Sequence, residues 1–166
     1  MNGGFEALRE GVVALLRENG VHAVLAMSPR PAGRWREAVA AVSVKKICCV
    51  DSGFQNYLGS EIKDGKAKEL YGRAADITLA IDVYAPGDGG ESACQTALER
   101  IAEVLMTQGA AGLEVSELTA GQTEWLDREG MYRLRADCLC RAWLTAAADQ
   151  EAGGYFTDFE VKGRRT

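Results

Sequence analysis

The side chains in this sequence with chemical potential are five cysteines, one histidine and a set of carboxylates and arginines with strand spacing. Cys138 and Cys140 are two residues apart, so they share one side of an extended strand. With Cys94, on a helix expected to cover that side, they would make a three-thiolate metal site. Cys48 and Cys49 are adjacent, so in a strand they point to opposite faces and chelate poorly together. No zinc-binding spacing is present, and free cysteine is among the most buried residue types. Core packing is the simpler role for these thiols.

His22 is the sole histidine, which excludes a two-histidine metal site and leaves one candidate base. A Ser-His-Asp arrangement would have to recruit a distant serine and acid. A place on the outer face of a short strand accounts for His22 more simply. Gly87-Asp88-Gly89-Gly90 precedes a helix and so has the outline of a phosphate loop. It lacks the lysine and the Ser/Thr of that motif, and Asp88 and Glu91 would repel an anion. A strand-to-helix turn is the better account.

Asp76 and Asp82 fall on one side of a strand, roughly 20 Å apart at strand rise. That separation is too great for paired acid/base work. Together with Arg133, Arg135, Asp137 and Arg141 they point to cross-strand charge pairing, a subunit contact or a solvated face. Trp35, Trp125, Trp143, Tyr155, Phe156 and Phe159 fit either a core or an interface. Lys162, Arg164 and Arg165 could touch nucleic acid, although a solvated tail is the plainer expectation. No residue is therefore assigned to catalysis, to a cofactor or to a metal.

The elements that position these residues follow from periodicity. Phe5, Leu8, Val12, Leu15 and Leu16 recur at helical steps, with a stop at Asn19-Gly20. Val21 to Met27 reads as a short strand, then Ser28 to Gly33 as a proline-bearing loop. Glu37 to Val50 is rich in β-branched residues and reads as a strand whose apolar alternation is broken by Lys46. Residues 53–70 are ambiguous, with a helical turn over Gln55 to Gly59 and a solvated loop at Lys63-Asp64-Gly65-Lys66. Arg73 to Tyr84 is the clearest strand, because Ala75, Ile77, Leu79, Ile81 and Val83 alternate with polar neighbours. Such alternation implies a sheet with one buried face. A second helix runs from about Glu91 to Gln108. The last third reads as a hairpin, Leu113 to about Trp125, a turn at Asp127 to Gly130, and a long return arm. The fold class is α+β, with two main helices packed on one face of a largely antiparallel sheet. Residues 1–150 form a single domain and 151–166 a C-terminal tail or arm.

At 166 residues the chain suits one domain able to bury a core without disulfides or metal. An odd cysteine count without the basic-then-apolar layout of a signal peptide points to reduced thiols in a cytosol. No apolar run is long enough to span a membrane. The formal net charge of -5 argues against a protein built to hold nucleic acid by its phosphates.

Three stretches, in order, carry a family resemblance. They are Val42 to Asp51 followed by Tyr57-Leu58-Gly59, then Glu69 to Arg73 leading into Asp76 to Pro86, and Arg133-Leu134 through Trp143-Leu144. Over about residues 40 to 145 the chain resembles the small tail terminator, or tail completion, proteins of long-tailed phages and prophages of Gram-positive bacteria. That resemblance implies helices on a sheet, a homo-oligomeric hexameric ring, and a cap that stops tail-tube growth and meets the head. It implies tail tube protein and head-completion or connector protein as partners. It also implies DNA crossing the ring without specific binding, no membrane, no cofactor and no catalytic residue. Its setting would be the host cytoplasm during assembly and then the virion tail. The alternatives are another head–tail connector or neck protein, and a small cytosolic enzyme dependent on cysteine or metal.

Overall fold

A computed structural model of the chain describes residues 4–25, 35–51, 56–109, 112–149 and 159–162. Helix α1 covers Phe5–Glu18 and helix α2 Gly90–Gln108. The strands are β1 (Ala23–Leu25), β2 (Val39–Asp51), β3 (Tyr57–Lys63), β4 (Lys66–Pro86), β5 (Glu114–Ala120), β6 (Glu124–Leu126), β7 (Met131–Asp149) and β8 (Phe159–Lys162). They make one sheet of central order β1-β2-β4-β7-β5, in which β3 also pairs with β4, and β6 and β8 with β7. Only β1 against β2 is parallel. The α+β class read from the pattern is the architecture found.

Both helices lie on the sheet face formed by the apolar half of each alternation. Leu8, Val12 and Leu16 of α1, and Cys94, Ile101, Val104 and Leu105 of α2, pack with Ile77, Leu79, Ile81 and Val83 of β4 and with Leu134, Ala136, Cys138 and Cys140 of β7. Burial of such side chains contributes about 1.5–3 kcal/mol for each large one. Helix α1 ends where expected. Gly20 takes φ +80°, and Val21 N–H donates to the Leu16 carbonyl at 2.9 Å. The C-terminal ends of the helices are tied together. Asn19 and Gln108 exchange amide hydrogen bonds of 2.8 and 3.2 Å.

Several local expectations change. Of the expected helical turn over 55–59 Asn56 is helical, in a 3-10 turn, while β3 starts at Tyr57 and Gln55 lies outside the described residues. The loop at 63–66 is a tight hairpin turn, in which Asp64 and Gly65 both take positive φ, +56° and +75°. That is the backbone an Asp-Gly pair supplies between antiparallel strands. The strand expected at Arg73 to Tyr84 extends to Lys66–Pro86. The first hairpin arm divides into β5 and β6. The loop at Ser28 to Gly33 lies outside the described residues, as do Tyr155, Phe156, Arg164 and Arg165.

Candidate functional site

The face of the sheet turned away from the helices carries the polar half of every alternation, and register shows how it is organised. Asp76 lies opposite Arg141, Asp82 opposite Arg135, Tyr84 opposite Arg133, and Ala80 opposite Asp137. The Arg141 guanidinium donates to both Asp76 oxygens, at 2.7 and 3.2 Å. That fork holds the Asp76 carboxyl below its usual range. Lys45 of β2 reaches over β4 to Asp137. Arg133 donates to Glu124 of β6 at 2.8 Å, which lowers the Glu124 carboxyl. Asp82 is pushed up instead, because burial outweighs the nearby Arg135, Arg133 and Lys45. The expectation of cross-strand charge pairing on this face is thus met at Asp76–Arg141. Asp76 and Asp82 remain rungs apart and do not act as an acid/base pair.

The sheet also outreaches its helices. At about 3.3 Å per residue a 21-residue strand spans roughly 70 Å, and β4 has 21 residues. Helix α2, the longer helix at 19 residues, spans about 28 Å at 1.5 Å per residue. Burial follows that mismatch. Residues 74, 75, 77, 79, 81, 83 and 85 of β4 are buried, whereas none from 66 to 73 is. Beyond the helices, β3, the start of β4 and the far halves of β2 and β7 continue the sheet as an extension. Ile62 there is 82% exposed, and Tyr57, 46% exposed, meets Tyr71 edge to face at 5.5 Å. Ile47 and Val50 of β2 are also exposed.

The join between core and extension sits at Gly72. A Cβ there would lie 2.2 Å from the Leu144 carbonyl oxygen and 2.7 Å from Leu58 Cδ1, so only glycine fits. Gly59 lies almost opposite, beside a register shift in β3.

The thiols divide by burial. Cys94, Cys138 and Cys140 are buried, while Cys48 and Cys49 are exposed. The Sγ atoms of Cys138 and Cys140 are 3.5 Å apart, and the hydrogen bond to Cys138, with burial, pushes the Cys140 thiol far up. Cys94 Sγ faces the Val83 carbonyl at 3.7 Å, and burial raises its thiol too. Burial that raises a thiol in this way makes it a poor nucleophile. Among the described residues no three His, Cys, Asp or Glu side chains gather in a group able to hold a metal ion. His22 is exposed, one residue before β1, and its carbonyl accepts from Ala40 N–H at 2.8 Å. Gly87–Gly89 is a 3-10 turn that leads from β4 into α2. Trp125 is exposed, its ring 4.8 Å from that of Tyr132, and Trp143 is half-buried on the open face opposite Ala74.

Sequence patterning singled out the charged rows but missed the extension and the charges on the sheet margins, Lys46, Lys63, Glu114 and Glu117. The Asp-Gly pair at 64–65 was the available signal for the extension. The Lys45-Lys46 doublet, where alternation breaks, was the signal for a bulge, and the β2–β4 register shifts there.

No protein-family model matches the chain, and no curated protein does. Among solved structures it is similar to a chain of the virion of a native gene transfer agent particle, with 15% identity and a TM-score of 0.42, covering 81% of this chain and 92% of that one.

Proposed function

We propose that this chain is a structural protein of a tailed, phage-like particle, and within that class a ring-forming tail terminator. The observation that carries the reading is the sheet that outreaches its helices, with an extension that bears exposed Tyr57 and Ile62. A monomer gains little core from residues 66–73 of β4, none of which is fully buried. An assembly gains more, because neighbouring subunits supply the missing cover. The ordered resemblance of residues 40–145 to tail terminators supports the same class. In this reading residues 1–150 build the ring and 151–166 act as an arm. One ring surface matches the end of the tail tube, another does not permit further growth, and head-completion protein meets that second surface.

The test is tube length. Tail tube protein of the same particle, polymerised with this protein present, should give shorter tubes bearing a ring at one end. Light scattering should show an oligomer. A protein that stays monomeric at every concentration and leaves tube length unchanged is not a terminator. One that binds heads but not tubes belongs in the neck instead.

A further inference from the structure

Among the described residues, each side margin of the sheet has an unpaired stretch, and the two stretches differ in charge. On one side β1 pairs with β2 only at Ala40, Ala41 and Val42, so residues 43–50 of β2 have a free outer edge among the described residues. On the other side β5 ends the sheet. The β2 edge bears Lys45 and Lys46, and the β5 edge bears Glu114 and Glu117. Lys46 and Glu117 are exposed and have no ion-pair partner among the described residues.

Register puts these two charges at the ends of a single rung. Lys46 pairs with Thr78, Thr78 with Leu139, and Leu139 with Glu117. The next rung runs Cys48, Asp76, Arg141, Glu114. All of these residues lie on the open face. Each rung is about three strand spacings wide, roughly 14 Å. From β2 to β5 the strands alternate in direction. A second copy laid beside the first with the same face outward would therefore set its β2 antiparallel to the first copy's β5.

Charged, bulged edges ordinarily block strand addition. Here the charges differ in sign, so β2 against β2 or β5 against β5 sets like charges together, whereas β2 against β5 sets Lys46 beside Glu117. We propose that copies of this chain join head to tail by antiparallel pairing of residues 43–50 of β2 with β5 of the next copy, making one sheet that runs through the assembly. This rests on the ring reading above and specifies its subunit joint. Such a contact is heterologous. It leaves one free edge of each kind at the ends, so it repeats until the ring closes.

Charge reversal tests it on the full chain by native mass spectrometry and light scattering across concentration. Lys46→Glu and Glu117→Lys should each raise the concentration for half-assembly by about tenfold, because each sets like charges across the joint. The double variant Lys46→Glu/Glu117→Lys should restore assembly. A second measurement uses a native thiol. In Glu114→Cys the new thiol would face Cys48 of the neighbouring copy, at a Cα separation of about 4.5–5.5 Å that a disulfide tolerates. Mild oxidation should then give a ladder of covalent oligomers that Cys48→Ser abolishes. An oligomeric protein indifferent to the charge reversals, with no Cys48-dependent ladder, overturns the joint and leaves the ring intact. A wild-type protein that never assembles and never caps a tube overturns the ring reading itself.

Discussion

Gly72→Ala is the sharpest perturbation this structure offers, since the added methyl meets backbone and not a movable side-chain tip. The ideal Cβ falls 2.2 Å from the Leu144 carbonyl oxygen and 3.1 Å from its carbon. Restoring van der Waals contact moves β7 away from β4 by about 1 Å, enough to break neighbouring N–H···O bonds whose normal length is about 2.9 Å. Two ladder bonds at roughly 1 kcal/mol each, with overpacking of about 1–3 kcal/mol, set the gross cost. Reduced freedom of the unfolded chain offsets about 0.4–1 kcal/mol of it. The net loss is about 2–4 kcal/mol, read by urea unfolding as a midpoint lowered by about 1–2 M for an m-value near 2 kcal/mol/M. Gly121→Ala is the control. Its Cβ would approach nothing closer than the Arg135 carbonyl oxygen at 3.8 Å, so it should be close to neutral. A Gly72→Ala protein within about 0.5 kcal/mol of wild type would refute the close crossing of β4 and β7, and with it the account of how the extension leaves the core.

Ile101 is fully buried beneath α2, so Ile101→Ala should cost about 2–5 kcal/mol of unfolding free energy. Met106→Ala, half-exposed on the same helix, should change it by less than about 0.5 kcal/mol. A thiol reagent should label Cys48 and Cys49 in the native protein and reach Cys94, Cys138 and Cys140 only after unfolding; rapid native labelling of a third thiol would contradict the packing. Asp82 sits above its unfolded value because of burial. Its protonated form therefore adds stability that is full below the unfolded pKa and lost as pH rises through the folded one. Asp82→Asn should accordingly raise the unfolding free energy at neutral pH by less than about 1 kcal/mol after solvent screening, with a higher melting temperature, and do little in acid. A melting temperature lowered at neutral pH would mean that Arg135 and its neighbours outweigh the burial.

The alternation of Ala75 to Val83 made the core of β4 readable, because one-sided burial forces a period of two. The same rule could not extend the strand to Lys66, because no side chain from 66 to 73 is fully buried and no strict apolar alternation is selected there. Residues 66–70 read Lys-Ala-Lys-Glu-Leu, as a loop or helix would. They are strand because the Asp64-Gly65 turn folds them back on β3 and β7 carries them from the other side. The charge rows on the open face were legible for the opposite reason, since alternation assigns them a side whatever their partners. Which arginine meets which carboxylate depends on register between strands 65 residues apart, and no local pattern fixes that. The Lys46–Glu117 rung was invisible for the same reason, as it spans four strands.

Coverage decides what this molecule can do alone. A sheet with helices on one face is stable if the helices bury the apolar half of each strand, and α1 and α2 do so from Ala75 to Ala85 of β4. Strand length past that point adds no core. Every further residue still loses about 1–2 kcal/mol of backbone entropy on ordering, set against ladder hydrogen bonds worth about 1 kcal/mol each. An extension of this kind is close to break-even in an isolated chain and becomes favourable when a neighbour covers it. The same reasoning applies to the face turned away from the helices, where the Lys45–Asp137 and Asp76–Arg141 ion pairs are largely exposed and individually weak. The subunit has its core in place under α1 and α2, and in the ring reading the surface that its longest strands build is the part a neighbouring copy would cover.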